Sequence, residues 1–273
     1  MKLHHYTTIE TLALILDSSK IRFNRLTNVD DIQEAELYGK YSVAPFLYVS
    51  CWTTSEVENI PLWTMYTANM KGVRITFEDK PFFYQKLDKP LHFVQGHTGD
   101  MYSPLTYDQI CNEQCFVIPN FLDKSKFGGE MQYVPDVTDY YKEAVKLTFN
   151  PDGTANVELK SANDLAIHKN EYWKFQEEYR FSLLAFPAPP TGYDQSAWDN
   201  MHHHSANSIY HGVCPDNEFI DVDICPTLLR SIIVTLGPLT TFSEEVMVRS
   251  LIDKYCPEAK VEYSSLKGMI RTK

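Results

Sequence analysis

A few residues in this sequence have the types and spacing to carry chemistry. Glu178 and Arg180 stand two apart in a run, Glu178 to Phe186, that reads as a strand, and a period of two sets both on one face. A guanidinium so placed either holds the carboxylate ionised for use or forms a salt bridge that only ties the strand in place. Trp63 and Tyr66 lie three apart on one side of an expected helix. Aromatics so spaced stack on a flat ligand or, more commonly, serve as core. His5, followed by Tyr6 and Thr7, offers an imidazole that can hydrogen-bond a ligand hydroxyl or satisfy a buried partner. Ser50 adds a hydroxyl within a β-rich run.

Other clusters read more blandly. Asp30, Asp31 and Glu34 would need to converge in space to hold a metal, and a solvated helix start is the favoured reading. His202, His203 and His204 with His211 sit in a polar stretch that reads as a surface loop. Cys111 and Cys115 are one helical turn apart but have no second pair. No metal site is therefore expected. There is no G-x-S-x-G, no G-x-G-x-x-G and no P-loop, which argues against a serine hydrolase and against the standard phosphate cradles.

The elements that must position these residues can be read in order. Leu3 to Tyr6 is an expected strand, and Thr7 with Glu10 reads as the capping box of a helix carrying Ile9, Leu12, Ala13 and Leu16. Ile21 to Phe23 is an expected second strand and Asp31 to Tyr41 a helix. Phe46 to Thr53 is β-rich, Pro61 suits the first turn of a helix reaching Met70, and Val73 to Phe77 alternates like a half-buried strand. Val145 to Phe149 and Ala155 to Leu159 flank Asn150-Pro151-Asp152-Gly153, a hairpin signal. Ser161 to Phe175 reads as a helix, Pro187 to Asn207 as a surface loop, and Leu229 to Leu236 as a central strand ended by Gly237-Pro238. An amphipathic helix around Ser243 to Ile252 and a strand at Lys260 to Tyr263 close the chain.

This irregular mixture favours an α+β fold over a doubly wound parallel sheet. One domain spanning 1–273 is expected, with a loop-rich insertion at about 80–160 whose aromatics need burial. The chain has 273 residues, 44% of them hydrophobic and 22% charged, ample for a core. A formal charge of −11 argues against charge-driven nucleic-acid binding. With no apolar leader, no membrane-length apolar run and six cysteines in no regular framework, the expected setting is the cytoplasm with reduced thiols and no membrane.

Four segments resemble domain-of-unknown-function family 2971, found in bacteria and phages. They are His5-Tyr6-Thr7; Asp30 to Glu34; Ser50-Cys51-Trp52-Thr53 with Leu62 to Tyr66 and Lys71-Gly72-Val73; and Glu178-Tyr179-Arg180, with Ile232 to Pro238 fitting the close. Asp30 and Ile32 depart from the family's usual Asn and Pro. A more distant resemblance is to ADP-ribosyltransferases, which draw on a first-strand His or Arg, a middle Ser or Tyr and a late-strand Glu. That likeness implies a split sheet with flanking helices and NAD as substrate. Glu178 would be the catalytic carboxylate, stabilising positive charge on the ribose as the nicotinamide bond breaks. His5, Tyr6, Thr7, Ser50, Trp63, Tyr66 and Arg180 would bind NAD, with Tyr66 on the nicotinamide ring and Arg180 holding Glu178 ionised or meeting the pyrophosphate. It further implies a macromolecular acceptor, protein or nucleic acid, and a toxin or phage-defence role with an antitoxin or inhibitor protein as partner. The rival reading is a non-catalytic nucleotide- or protein-binding module. A purely structural interaction protein would instead bury Trp63 and Tyr66 fully and form no polar cleft.

Overall fold

The computed structural model describes residues 1–36, 41–92, 99–141, 145–151, 155–159 and 165–271. The first strands follow from alternating or fully apolar runs: β1 (Leu3–Thr7), β2 (Lys20–Arg25), β3 (Leu47–Thr53) and β4 (Val73–Phe77). Helix α1 (Ile9–Ser18) leaves β1 and buries Leu12, Ile15 and Leu16. Its cap is Thr8, which accepts from Thr11 N, not Thr7. Thr7 remains in β1 opposite Val73, because the ladder with β4 runs to that residue. Helix α2 is described only over Ile32–Glu36, so most of the second half of the expected Asp31 to Tyr41 helix lies outside the described residues. Helix α3 (Ile60–Tyr66) is capped by Asn59 and carries Pro61 in its first turn. Strand β4 is buried at every position rather than half-buried, since both faces of the sheet are covered there.

The insertion folds as short pieces: β5 (Gln85–Lys86) pairs with β6 (Tyr102–Ser103), and α4 (Tyr107–Ile110) leads into β7 (Cys115–Ile118). Then come β8 (Gly129–Glu130), β9 (Gln132–Val134), α5 (Thr138–Tyr141), and the hairpin β10 (Val145–Phe149) with β11 (Ala155–Leu159). Residues 152–154 of the hairpin turn lie outside the described residues. Phe82, Phe121 and Phe127 of the insertion are buried against Phe23 and Phe181, which answers the need for aromatic burial.

Two stretches depart from expectation. The described part of Ser161 to Phe175 is a turn, then β12 (His168–Asn170), then a 3-10 turn over Glu171–Gln176. Ala166 takes a left-handed φ of 59° and Asn170 caps Tyr172, and both interrupt an α-helix. Pro187 to Asn207 is not a surface loop beyond its first part. It holds α6 (Gln195–Asp199) and the start of α7 (Met201–His211), after strand β13 (Glu178–Pro187). Trp198, Met201 and Ala206 are buried, while the three adjacent histidines between them diluted the apolar signal. The close of the chain runs β14 (Phe219–Asp223), α8 (Pro226–Arg230), β15 (Ile233–Leu236), α9 (Phe242–Tyr255) and β16 (Lys260–Tyr263). Pro226 begins a helix where one long strand was expected, so β15 keeps only its last residues.

The result is a mixed α/β architecture built on a ten-stranded sheet ordered β14-β2-β3-β1-β4-β15-β16, with β13 on the other edge of β3 and β7 and β8 paired to β13. Within it β15 and β16 run parallel and the other described pairings are antiparallel. Strand β13 takes one edge of β3 along its whole length, from Glu178 opposite Thr53 to Leu184 opposite Leu47. Both β2 and β1 must therefore share the other edge. Strand β2 pairs at Tyr48 and Val49, and β1 pairs at Thr53. Between those points the two strands diverge, and the sheet is open beside Ser50, Cys51 and Trp52.

One face of the sheet carries Leu3, Trp52, Ile75, Phe181 and Val234 and is covered by α1, α9 and the insertion's aromatics. The opposite face carries two separate apolar clusters, one around Leu47, Val49, Leu184 and Ile209, the other around Tyr6, Leu62 and Trp63. The strip between those two clusters is polar, and the site lies there.

Candidate functional site

A pocket of about 230 Å³ opens at the divergence of β1 and β2. Of the residues singled out from sequence, His5, Tyr6, Ser50, Tyr66, Glu178 and Arg180 line it. Trp63 and Thr7 do not. Trp63 is fully buried, edge-on to Tyr6 at 4.8 Å between centroids, and its Nε1 donates to Glu58. Thr7 is buried within β1. Tyr66, unlike Trp63, is only half-buried, and the cleft beside it is polar.

Strand alternation divides the remaining candidates. His4, Thr53 and Glu178 form one cross-strand row through β1, β3 and β13, on the polar face. His5 and Ser50 project from the other face, where the His5 ring lies 5.0 Å from Trp52 and the Trp52 indole donates to Ser50 Oγ. His5 Nδ1 donates to Cys51 O at 3.0 Å, a carbonyl that the opening of the sheet deprives of a ladder partner. That bond fixes the tautomer and leaves Nε2 as an acceptor. Burial lowers the His5 pKa, against the Cys51 carbonyl's opposing pull, so the ring is neutral near pH 7.

The floor is a buried ion network. Arg180 Nε donates to Glu178 Oε1 at 2.6 Å, its Nη1 donates to Glu34 Oε1 and to Ala166 O, and its Nη2 donates to Glu34 Oε2 at 3.3 Å. Lys169 Nζ donates to Glu178 Oε2 at 3.1 Å and to Gln176 Oε1 at 2.8 Å, with Glu34 3.8 Å away. Glu34, Lys169, Glu178 and Arg180 are 1%, 4%, 5% and 2% exposed. Two anions and two cations balance, and the hydrogen bonds offset a desolvation cost of several kcal/mol per ion. Burial works against the Lys169 charge, but the Glu178 carboxylate, by its charge and its hydrogen bond, pulls the Lys169 pKa upward.

From this floor a hydrogen-bonded chain reaches the surface. Gln176 Nε2 donates to Tyr66 Oη at 2.8 Å, and Tyr66 Oη donates to the exposed Asp30 Oδ2 at 2.6 Å. Burial first, and then the Asp30 bond, raise the Tyr66 phenol, so it stays protonated and can only donate to Asp30. Cys51 faces the same strip, and burial with the nearby Glu178 keeps it a thiol.

Glu34 and Lys169 were not singled out for the site from sequence, whereas Gln176 fell in the Gln176-Glu177-Glu178 run that resembles the late-strand Gln-x-Glu of ADP-ribosyltransferases. Glu34 read as part of a solvated helix start, yet it is among the most buried charges, and Asp31 is buried too, accepting from Gln33 N. Only Asp30 of that trio fits the exposed reading. Two of the α7 histidines make structural hydrogen bonds: His204 Nε2 donates to Pro187 O, and His203 meets Asn207. All six cysteines are free. Among the described residues no cluster of His, Cys, Asp and Glu could hold a metal ion, and no helix is long and apolar enough to cross a membrane.

No family model, no curated protein and no solved structure matches this chain. The functional reading therefore rests on the motifs and on the geometry just described.

Proposed function

We propose that the pocket takes the nicotinamide–ribose half of NAD and that the chain transfers the ADP-ribosyl group to a macromolecular acceptor. The observation that carries this reading is convergence. His5 from the first strand, Tyr66 from α3 and Glu178 from a late strand line one pocket although they are far apart in sequence. The divergence of β1 and β2 along β3 supports a split sheet of the ADP-ribosyltransferase kind, and the resemblance to family 2971 is compatible with it. At about 230 Å³ the pocket is smaller than sites that enclose a whole drug-sized ligand, so it suits one half of a dinucleotide.

In this reading the Glu178 carboxyl group is fixed in orientation, because Arg180 and Lys169 each hold one of its oxygens. A carboxylate oxygen has more than one lone-pair direction, so Glu178 can still accept from a ribose hydroxyl. Its charge would favour the oxocarbenium-like state as the bond from ribose C1′ to the nicotinamide nitrogen breaks. The bond's electrons leave with nicotinamide, a nucleophilic atom of the acceptor bonds to C1′, and that atom's proton passes to solvent. His5 Nε2 would accept from a ribose hydroxyl, and Tyr66 would lie beside the nicotinamide ring. The acceptor would be a protein or a nucleic acid, as for a toxin or phage-defence effector restrained by an inhibitor protein.

One observation favours a second reading, a non-catalytic nucleotide-binding module. Glu178 is nearly enclosed, and both its oxygens are already engaged by cations. Calorimetric titration of NAD into wild type and His5→Ala, with nicotinamide release followed in parallel, separates the two. Binding that the substitution weakens, accompanied by release, supports transfer. Binding with no release supports the module. A folded wild type that binds no NAD overturns the transfer reading and leaves a module for another ligand or a protein.

A further inference from the structure

Resting on the NAD reading, we infer that Arg22 is the residue that holds the phosphates of the ligand at the pocket mouth. Three strongly basic side chains line the pocket: Arg22, Lys169 and Arg180. The resemblance gave Arg180 one of two roles, holding Glu178 or meeting the pyrophosphate. Yet Arg180 is 2% exposed and its guanidinium is already committed to Glu34, Glu178 and Ala166 O, so no phosphate can reach it. Lys169 is likewise buried, between Gln176 and Glu178. Arg22 differs, because its side chain is 49% exposed.

Its position fits the task. Asn24 lies opposite Val49 in the β2–β3 ladder, and Arg22 is two residues along β2 toward the opening, on the same face as Asn24. That is the polar face that carries Glu178. A ligand whose sugar entered the split would leave its phosphates on this side, next to Asn24 and Asn28, which also line the pocket.

The guanidinium is held in place before any ligand arrives. Arg22 Nε and Nη2 donate to the two Asp221 oxygens at 2.9 and 3.1 Å, and the guanidinium carbon stands 3.4 Å from the centroid of the Phe219 ring. Phe219 fixes the plane and Asp221 fixes its rotation, while Nη1 makes no hydrogen bond among the described residues. Guanidinium groups fixed in this way recognise phosphate with little further loss of side-chain freedom. The carboxylate of Asp221 has an opposite effect, since it repels a second anion on the same guanidinium. The two residues thus pull phosphate affinity in opposite directions.

The test is titration of NAD, nicotinamide mononucleotide and nicotinamide riboside into wild type, Arg22→Gln and Asp221→Asn, with melting curves to verify folding. Arg22→Gln should weaken NAD and the mononucleotide about tenfold or more and leave the riboside unchanged. Asp221→Asn should tighten the two phosphorylated ligands, and raised salt should erode the wild-type advantage. Wild-type affinity for NAD in a folded Arg22→Gln would overturn the assignment and leave the NAD reading standing. Equal weakening of all three ligands would also overturn it, placing Arg22 in the β2–β14 framework instead. No binding of any of the three to wild type would remove the NAD reading and the inference with it.

Discussion

Lys169 Nζ donates to Glu178 Oε2 at 3.1 Å, and the two side chains are 5% and 4% exposed. Such a pair, isolated, would be an expensive way to fill a protein interior. It persists here because neither ion is isolated. Glu178 is shared with Arg180, Arg180 with Glu34, and Lys169 with Gln176, and its Nζ lies 4.9 Å from the Trp173 ring centroid. The network joins α2, β12, the 3-10 turn after it and β13. The segment 165–176, with little regular structure of its own, is fastened to the sheet through it.

Removing one member should therefore be costly. Lys169→Met leaves two carboxylates facing one guanidinium, and we expect a loss of about 3–5 kcal/mol in urea unfolding. Glu178→Gln should lose a similar amount, since it strands a cation instead. The double substitution keeps the Arg180–Glu34 pair neutral and should cost less than the sum by at least about 1 kcal/mol. Additive losses in the cycle would show that the two ions are not coupled.

Acid should weaken the fold before the carboxylates titrate. Burial, then the nearby Arg74 charge, lower His4 from 6.5 to about 4. Below pH 6.5 the unfolded chain takes up a proton that the native chain refuses, so stability is full above that pH and is lost as pH falls toward about 4. His5 is lowered as well and acts in the same direction. Between pH 7 and 5 His4 alone should remove about 2 kcal/mol. His4→Gln should keep the Thr76 contact within reach and flatten that slope, read from urea midpoints at the two pH values. An unchanged slope would count against His4 as its source.

Local signals made much of the framework readable, and distance decided what was not. The spacing of Glu178 and Arg180 correctly put them on one face, because strand alternation is local. Nothing local announces that Arg180 meets Glu34, 146 positions away. Lys169 was hidden within Ser161 to Phe175, expected as a helix, where the structure has β12 and a 3-10 turn instead. The same alternation separates His5 from Glu178 and leaves His4 in the carboxylate's row, and that depends on a β1–β3 register with a single described pair, His4 with Thr53. Register is set by the whole sheet and by how strands diverge, which a motif does not record.

Helix caps offer a sharper comparison. The sequence around Ser243 and Glu245 marked the last helix, but the capping box of α9 is Thr241 with Glu244. Thr241 Oγ1 accepts from Glu244 N and the Glu244 carboxylate accepts from Thr241 N at 2.8 Å. Thr241→Ala should lower stability by about 1 kcal/mol, a typical cost for losing a cap. Ser243→Ala, inside the first turn, should change the thermal midpoint little. Equal effects would place the cap wrongly.

A tight backbone approach in the closing strands predicts a large effect outside the ion network. Gly237 N donates to Gly72 O at 2.9 Å just where β15 ends beside β4. A Cβ at Gly237 would lie 2.3 Å from Met70 O and 2.9 Å from Gly72 O. Both obstacles are main chain, so no side-chain rotation relieves them. The preceding turn has little room to yield, because Ala68, Asn69 and Met70 all hold left-handed φ values of 49°, 61° and 67° and Leu239 N donates to Met70 O. Moving that turn would also shift the end of α3, which carries Tyr66. Gly237→Ala should therefore lose about 3 kcal/mol or more in denaturant unfolding and weaken any ligand that contacts Tyr66. Gly212→Ala, at the C-cap of α7 with φ of 67° and open space around it, isolates backbone strain alone and should cost only about 1 kcal/mol. If the two substitutions prove equally mild, the close packing of β15 against the turn after α3 is wrong.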